Sequence, residues 1–252
     1  MTTIVVIAKE TIAGRVKTRL HPPLSLQQAA DVAAAAIQDT LAVASALPAT
    51  RRVLLFDGNR TPPGSEEFDV IPQIGGDLDA RLGALFDEVD GPTVLIGMDT
   101  PQVTVETLSP VFTDWTDDVD AWFGPANDGG FWALGLARPT GDLLRGVPMS
   151  RDDTGAHQLR RLAEAGLRVR MLPELVDVDT IDDARLVAAT APDSRFSAAL
   201  RLAQASPETD PARASSTTLA PPSAAEAPSP ASGGDAGRPA PRAARTCCRS
   251  PS

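Results

Sequence analysis

Short apolar runs alternate with longer helical periods through the first 190 residues. Ile4–Ala8 is a continuous apolar run, the pattern of a strand buried on both faces. Val53–Phe56, Val70–Ile71, Val94–Ile96, Ala121–Gly124, Phe131–Leu136 and Val169–Leu172 read as further strands. Between them, Ser25 is placed to cap an Ala-rich helix reaching Leu47, and Asp77 to cap one running to Val89. Thr104 begins another helix, Thr154–Ala165 has helical spacing, and Ile181–Ala189 is the final helix of this reading. Strands alternating with helices predict an α/β domain whose mostly parallel sheet is covered on both faces. Ligands in such sheets bind beyond the carboxyl ends of the strands, so the loops that follow strands are where chemistry is expected.

Composition changes this picture only near residue 206. From there to Ser252 the chain is dominated by Ala, Pro and Ser without apolar periodicity. Such a segment buries too little surface to offset its ordering entropy. The expected organisation is therefore one domain over 1–205 and a disordered tail over 206–252. The net charge is −10, aromatic residues are 4% and Tyr is absent. These features argue against nucleic acid and anionic membranes as partners. No apolar run reaches the roughly 20 residues a membrane span needs. Ile4–Ala8 is too short for a signal peptide and lacks a basic flank, so a cytoplasmic protein is expected.

Scarce residues narrow the chemistry further. The only histidines are His21 and His157, and the only cysteines are Cys247 and Cys248. Both cysteines lie in the last six residues, so the body of the chain cannot supply the four N/S ligands of a structural zinc site, nor a disulfide framework. A metal here must rest on carboxylates, which favours Mg²⁺ or Mn²⁺. His21 and His157 read as surface residues, and Trp115, Trp122 and Trp132 as packing residues.

Four loops carry candidate chemistry. After the first strand, Lys9, Arg15, Lys17 and Arg19 gather around Gly14, and Lys9 and Lys17 are the only lysines of the chain. A basic run that opposes the global charge at a sheet's binding edge suits a phosphate-bearing anion; a solvated turn is the plain alternative. The segment is not a P-loop, since its spacing lacks GxxxxGK[ST]. Asp99 stands just beyond Val94–Ile96 between Gly97 and Pro101, as a metal ligand or as the opening of a turn. Asp128, before Gly129 and Gly130, reads as a ligand approach or a hairpin turn. Asp177 and Asp179 share one side of an extended segment by alternation, to complete a metal site or to cap the next helix.

In order, these motifs resemble a family of bacterial GT-A-like transferases of formerly unknown function. Its members are described as glycosyltransferase-like or as nucleotide-diphospho-sugar transferases. More distantly, the motifs resemble molybdenum-cofactor and phospholactate nucleotidyltransferases. The resemblance rests on Lys9 with Gly14–Leu20, Gln73–Leu78 with Arg81 and Leu82, Gly97–Pro101, Gly124–Trp132 and Asp177–Thr180. It implies a single GT-A, Rossmann-like domain with a mostly parallel mixed sheet that binds a nucleotide and a divalent metal. By position it implies Asp99 as metal-binding aspartate, Asp179 as second ligand, and Asp177 as a substitute for it. Lys17 with Arg15 and Arg19 would face phosphate, while Gly75, Asp77, Asp128 and Gly129 would line the nucleotide or acceptor pocket. Departures are Asp79 where Gly is expected, Gln102 in place of an acid and Ala13 in place of Pro. Of these, Asp79 is the one able to disturb a helix start.

The expected activity is metal-assisted transfer from a nucleotide donor to a small acceptor, with Lys17 and Asp99 as the catalytic pair. A lone Asp99, rather than an Asp-x-Asp pair, leans toward nucleotidyl transfer from an NTP to a phosphorylated acceptor. The family's customary description leans toward glycosyl transfer from a nucleotide-sugar. A non-catalytic nucleotide-binding module is the alternative of another class.

Overall fold

The structure is a computed structural model that describes residues 2–205; the predicted tail and both cysteines lie outside the described residues. Seven strands form one sheet: β1 (Thr3–Lys9), β2 (Arg51–Asp57), β3 (Asp69–Pro72), β4 (Thr93–Ile96), β5 (Ala121–Pro125), β6 (Phe131–Leu136) and β7 (Val169–Met171). Their order is β3-β2-β1-β4-β6-β5-β7. β6 alone runs antiparallel to its neighbours β4 and β5, and every other pairing is parallel. The strand assignments from apolar runs hold, with ends moved by one or two residues. The helices are α1 (Leu26–Ala46), α2 (Leu78–Glu88), α3 (Val105–Leu108), α4 (Pro110–Thr113), α5 (Thr154–Glu164), α6 (Ile181–Thr190) and α7 (Arg195–Ala205).

Alternation along the strands builds two cores. Ile4, Val6, Leu54, Phe56, Val94 and Ile96 face Ile37 and Leu41 of α1 and Leu108 of α3. Val5, Val53, Leu55, Leu95 and Phe123 face Leu82, Leu85 and Phe86 of α2 and Leu162 of α5. These strands are buried on both faces, which is why they read as unbroken apolar runs. A third cluster joins Val32 and Ala36 of α1 to Val187 of α6 and Phe196 and Leu200 of α7. Trp122 and Trp132 are buried in the first core, with Trp115 packed against it. No helix among the described residues is long and apolar enough to cross a membrane.

Two expectations need correction. Ile181–Ala189 is not the final helix, because α7 follows and returns along α1. Asp79 does not disturb α2: it sits in the first turn, and its carboxylate accepts the Gly146 N–H at 2.8 Å. Capping by Ser25 is as expected, and its hydroxyl and the Gln28 side chain satisfy each other's backbone N–H groups. Asp77 occupies the N-cap position of α2 without a side-chain hydrogen bond to the helix.

Candidate functional site

The loop after β1 is pinned by its apolar members. Val16 and Leu20 are buried, and between them Lys17 takes a left-handed conformation at φ 45° that starts the short 3₁₀ turn Thr18–Leu20. This swings the lysine inward. Its Nζ lies 2.7 Å from Asp99 Oδ1 and 3.5 Å from Asp179 Oδ1, with only 9% of the side chain exposed. Arg19, largely exposed, reaches the other Asp179 oxygen at 3.1 Å.

Asp99 is placed by the continuation of β4. The Gly97 N–H donates to the Trp132 carbonyl, and the Asp99 carbonyl accepts from the Val178 N–H at 3.0 Å. Met98 and Thr100, on either side of Asp99, are buried. Val178 is likewise buried, so the extended backbone turns Asp177 and Asp179 away from the core together. The Asp177 N–H donates to the Asn127 side-chain oxygen at 2.8 Å, tying this segment to the β5–β6 turn. In that turn one Asp128 oxygen accepts the Gly130 N–H at 2.8 Å.

Separate loops therefore bring acids to one place. One carboxylate oxygen from each of Asp128, Asp177 and Asp179 lies within 4.8 Å of the others. Burial pushes the Asp177 carboxyl up to about 7, and Asp99 adds to the shift by repulsion. Lys17 pulls it back down, while Asp128 and Asp179 raise it further. Burial works against the charge on Lys17, yet Asp99, Asp177 and Asp179 outweigh it and hold the ammonium above its ordinary pKa. This all-oxygen donor set fits a hard divalent ion such as Mg²⁺ or Mn²⁺. Helix capping, the alternative for Asp179, falls to its neighbours: Thr180 caps α6 in a reciprocal pair with Asp183.

The acids open into a cleft of about 720 Å³ lined also by Lys9, Arg19, Asp57, Gln73, Arg81, Arg151 and Asp152. Gln73 holds its own rim together. Its amide donates to the carbonyls of Ala8 and Leu55, and its oxygen accepts from Arg81 at 2.8 Å. Of the residues singled out in the sequence, Lys9, Arg19, Asp99, Asp128, Asp177 and Asp179 line the cleft. Lys17 is not among the lining residues; its ammonium is paired with Asp99 and Asp179, which are. Gly14 and Arg15 are exposed and absent from the lining, as is Gly75. Asp77 borders a neighbouring cavity of about 530 Å³. Gly129 approaches the chain rather than a ligand: at φ 85°, a Cβ there would collide with the Asp152 carbonyl oxygen.

Several lining residues escaped the sequence reading. Asp57 closes β2, and a stricter use of the strand-end rule would have found it. Gln73 and Arg81 belonged to the resembling motif without being assigned a role. Arg151 and Asp152 carried no local signal, because a long-range contact with the Gly129 turn brings their loop to the cleft.

Residues 28–151 match the family described as an uncharacterized protein conserved in bacteria, DUF2064. That match holds the loops of Asp99 and Asp128 and leaves those of Lys17 and Asp179 on either side. No curated protein matches the chain. Among solved structures, a provisionally named nucleotide-diphospho-sugar transferase from Desulfovibrio desulfuricans superposes with TM-score 0.69 and 25% identity. The alignment covers 81% of this chain and 95% of that one. CMP:2-keto-3-deoxy-manno-octonic acid synthetase, complexed with CTP, matches at 13% identity and TM-score 0.47, covering 76% and 99% of the two chains. The 2-C-methyl-D-erythritol 4-phosphate cytidylyltransferase of Thermus thermophilus matches at 16% and 0.46, covering 76% and 100%. These last two are too remote to carry an argument. The segment from 28 to 151 is thus similar to DUF2064, and the chain has a fold of the nucleotide-diphospho-sugar transferase kind.

Proposed function

We propose that this chain is a divalent-metal-dependent transferase that takes a nucleotide donor and passes part of it to a small acceptor. The observation that carries this reading is the convergence of Asp99, Asp128, Asp177 and Asp179 at one end of a cleft bordered by Lys9, Arg19, Arg81 and Arg151. Crowded carboxylates beside separate cations suit a metal–polyphosphate pair, in which each charge finds its opposite. Asp128, Asp177 and Asp179 would hold the ion, whose chemistry is to neutralise charge on the donor phosphates. Beside them Asp99 lines the same cleft, its carboxylate paired with the Lys17 ammonium, whose side chain is buried. Arg19 is placed to take phosphate oxygens, and the walls of the cleft orient the donor and limit water.

The leading reaction is nucleotidyl transfer. An acceptor phosphate oxygen bonds to the α-phosphorus of an NTP, the bond to the bridging oxygen breaks, and pyrophosphate leaves with that electron pair. The lone Asp99 in Gly97–Pro101 favours this form. Glycosyl transfer from a nucleotide-sugar is the second reading, favoured by the similarity to the Desulfovibrio desulfuricans protein and its name. The customary description of the resembled family leans the same way.

A thermal-shift screen of the full chain against NTPs and nucleotide-sugars, each with Mn²⁺ or EDTA, tests the proposal. A Mn²⁺-dependent shift with one NTP supports nucleotidyl transfer, and one confined to a nucleotide-sugar supports glycosyl transfer. Binding that persists in EDTA, with no turnover, points to a non-catalytic nucleotide-binding module. No shift with any donor overturns the reading.

A further inference from the structure

Lys17 is in an unusual position for a lysine that serves a polyanionic ligand. It is buried, it is not among the residues lining the cleft, and its ammonium touches two acids from different loops. Its backbone is in the left-handed region, which among the described non-glycine residues only Ser150 shares. The buried Val16 and Leu20 hold the turn in that conformation. The fold therefore spends a rarely occupied conformation to keep a positive charge against Asp99 and Asp179.

We infer that Lys17 is a tethered counter-cation of the acid cluster, which lowers its affinity for a divalent ion until donor phosphates draw the ammonium away. The inference rests on the metal-dependent reading above. An ammonium and a dication are alternative partners for the same carboxylate oxygens, and Asp179 Oδ1 belongs both to the Lys17 contact and to an acid named as a ligand. A metal entering alone meets the repulsion of a buried positive charge. A metal entering with a nucleotide brings anionic oxygens that can take over the ammonium. Metal and donor then favour each other's binding reciprocally, beyond their own direct contact. Lysine suits this task, because a compact ammonium on a flexible stem can exchange partners, whereas the rigid fork of Arg favours a fixed geometry.

The test compares Mn²⁺ binding to the full chain and its Lys17→Met variant without nucleotide, read from the free-ion electron paramagnetic resonance signal. The variant is expected to bind Mn²⁺ at least tenfold more tightly. Equal or weaker binding by the variant overturns the inference, as does the absence of binding by both chains. A second measurement needs no substitution. Lys9 and Lys17 are the only lysines, so lysine side-chain ¹⁵N labelling yields two resolvable ammonium sites. Addition of Mg²⁺ and nucleotide together is expected to move the Lys17 signal far more than Mg²⁺ alone does. A Lys17 signal unmoved by the pair overturns the inference even if Lys17→Met fails to fold. Equal Mn²⁺ affinities with intact metal-dependent nucleotide binding sink this inference alone. A wild-type chain that binds neither Mn²⁺ nor any donor sinks the transferase reading with it.

Discussion

Asp177 shows how one residue reports on its surroundings. In the folded chain its carboxyl titrates at about 7 rather than 3.8, through burial first and then repulsion by Asp99. Between those values the folded state keeps a proton that the unfolded state has released. Stability contributed by this group therefore falls as pH rises through the window, and the full cost is present above 7. Asn carries no charge at any pH, so in metal-free buffer Asp177→Asn is expected to raise the melting temperature more at pH 8 than at pH 5. A gain independent of pH, read by differential scanning calorimetry, would show that Asp177 is not strained by charge. Gly129 answers to geometry instead. Its φ of 85° and the collision of an added Cβ with the Asp152 carbonyl oxygen predict that Gly129→Ala costs about 2–4 kcal/mol, measured by urea unfolding. The acids and the lysine of this site were legible as residue types at strand ends. That Lys17 pairs with Asp99, and that Asp128 joins Asp177 and Asp179, was not legible, because contacts across four loops leave no trace in local spacing.

The helices divide by where their signals lie. α1 and α6 carry their capping boxes in adjacent sequence; Ser25 is legible there as the cap of α1, whereas for α6 the sequence points to Asp179 and the structure uses Thr180 with Asp183. α7 was missed although it carries local signals. Ser194 Oγ accepts the Ser197 N–H at 3.1 Å, and Phe196, Leu200 and Ala203 are buried at helical spacing. What holds α7 in place is remote. The Asp39 carboxylate, projecting from α1, accepts the Arg195 and Phe196 N–H groups at 3.2 and 2.8 Å, and the Arg195 guanidinium at 3.3 Å. One acid thus covers the exposed donors of a helix start that follows it by 156 residues. Asp39→Ala is expected to destabilise the fold by about 1–3 kcal/mol and to free α7 first. Hydrogen exchange of the amides from 195 to 205 checks this, and unchanged protection there would assign α7's attachment to its apolar face alone. Asp79 gives the converse case. A residue that looked disruptive within its own helix is explained by the Gly146 N–H it accepts from another segment.

At the scale of the molecule, the mostly parallel sheet was legible because strands buried on both faces read as apolar runs between helical periods. Which strand reverses was not, since β4–β6–β5 is a matter of long-range pairing. The reversal has a consequence for charge. It makes the β5–β6 connection a hairpin whose turn brings Asp128 to the loops of Asp99 and Asp179, so the cleft end is acidic in a chain already at −10. A nucleotide polyphosphate approaching that end meets repulsion at short and long range, and Arg19 is already engaged with Asp179. A divalent ion reverses the local sign, so donor binding is expected to need it. At a donor concentration of 100 Kd, binding adds about 2.7 kcal/mol. At about 2–4 °C per kcal/mol for a domain of this size, the melting temperature rises by about 5–10 °C with Mn²⁺. EDTA should remove that shift, and extra NaCl should not restore it, because monovalent ions screen the repulsion without bridging phosphate to carboxylate. An undiminished shift in EDTA would mean that the cations of the cleft hold the donor unaided, and the acid cluster would then need another explanation than metal binding.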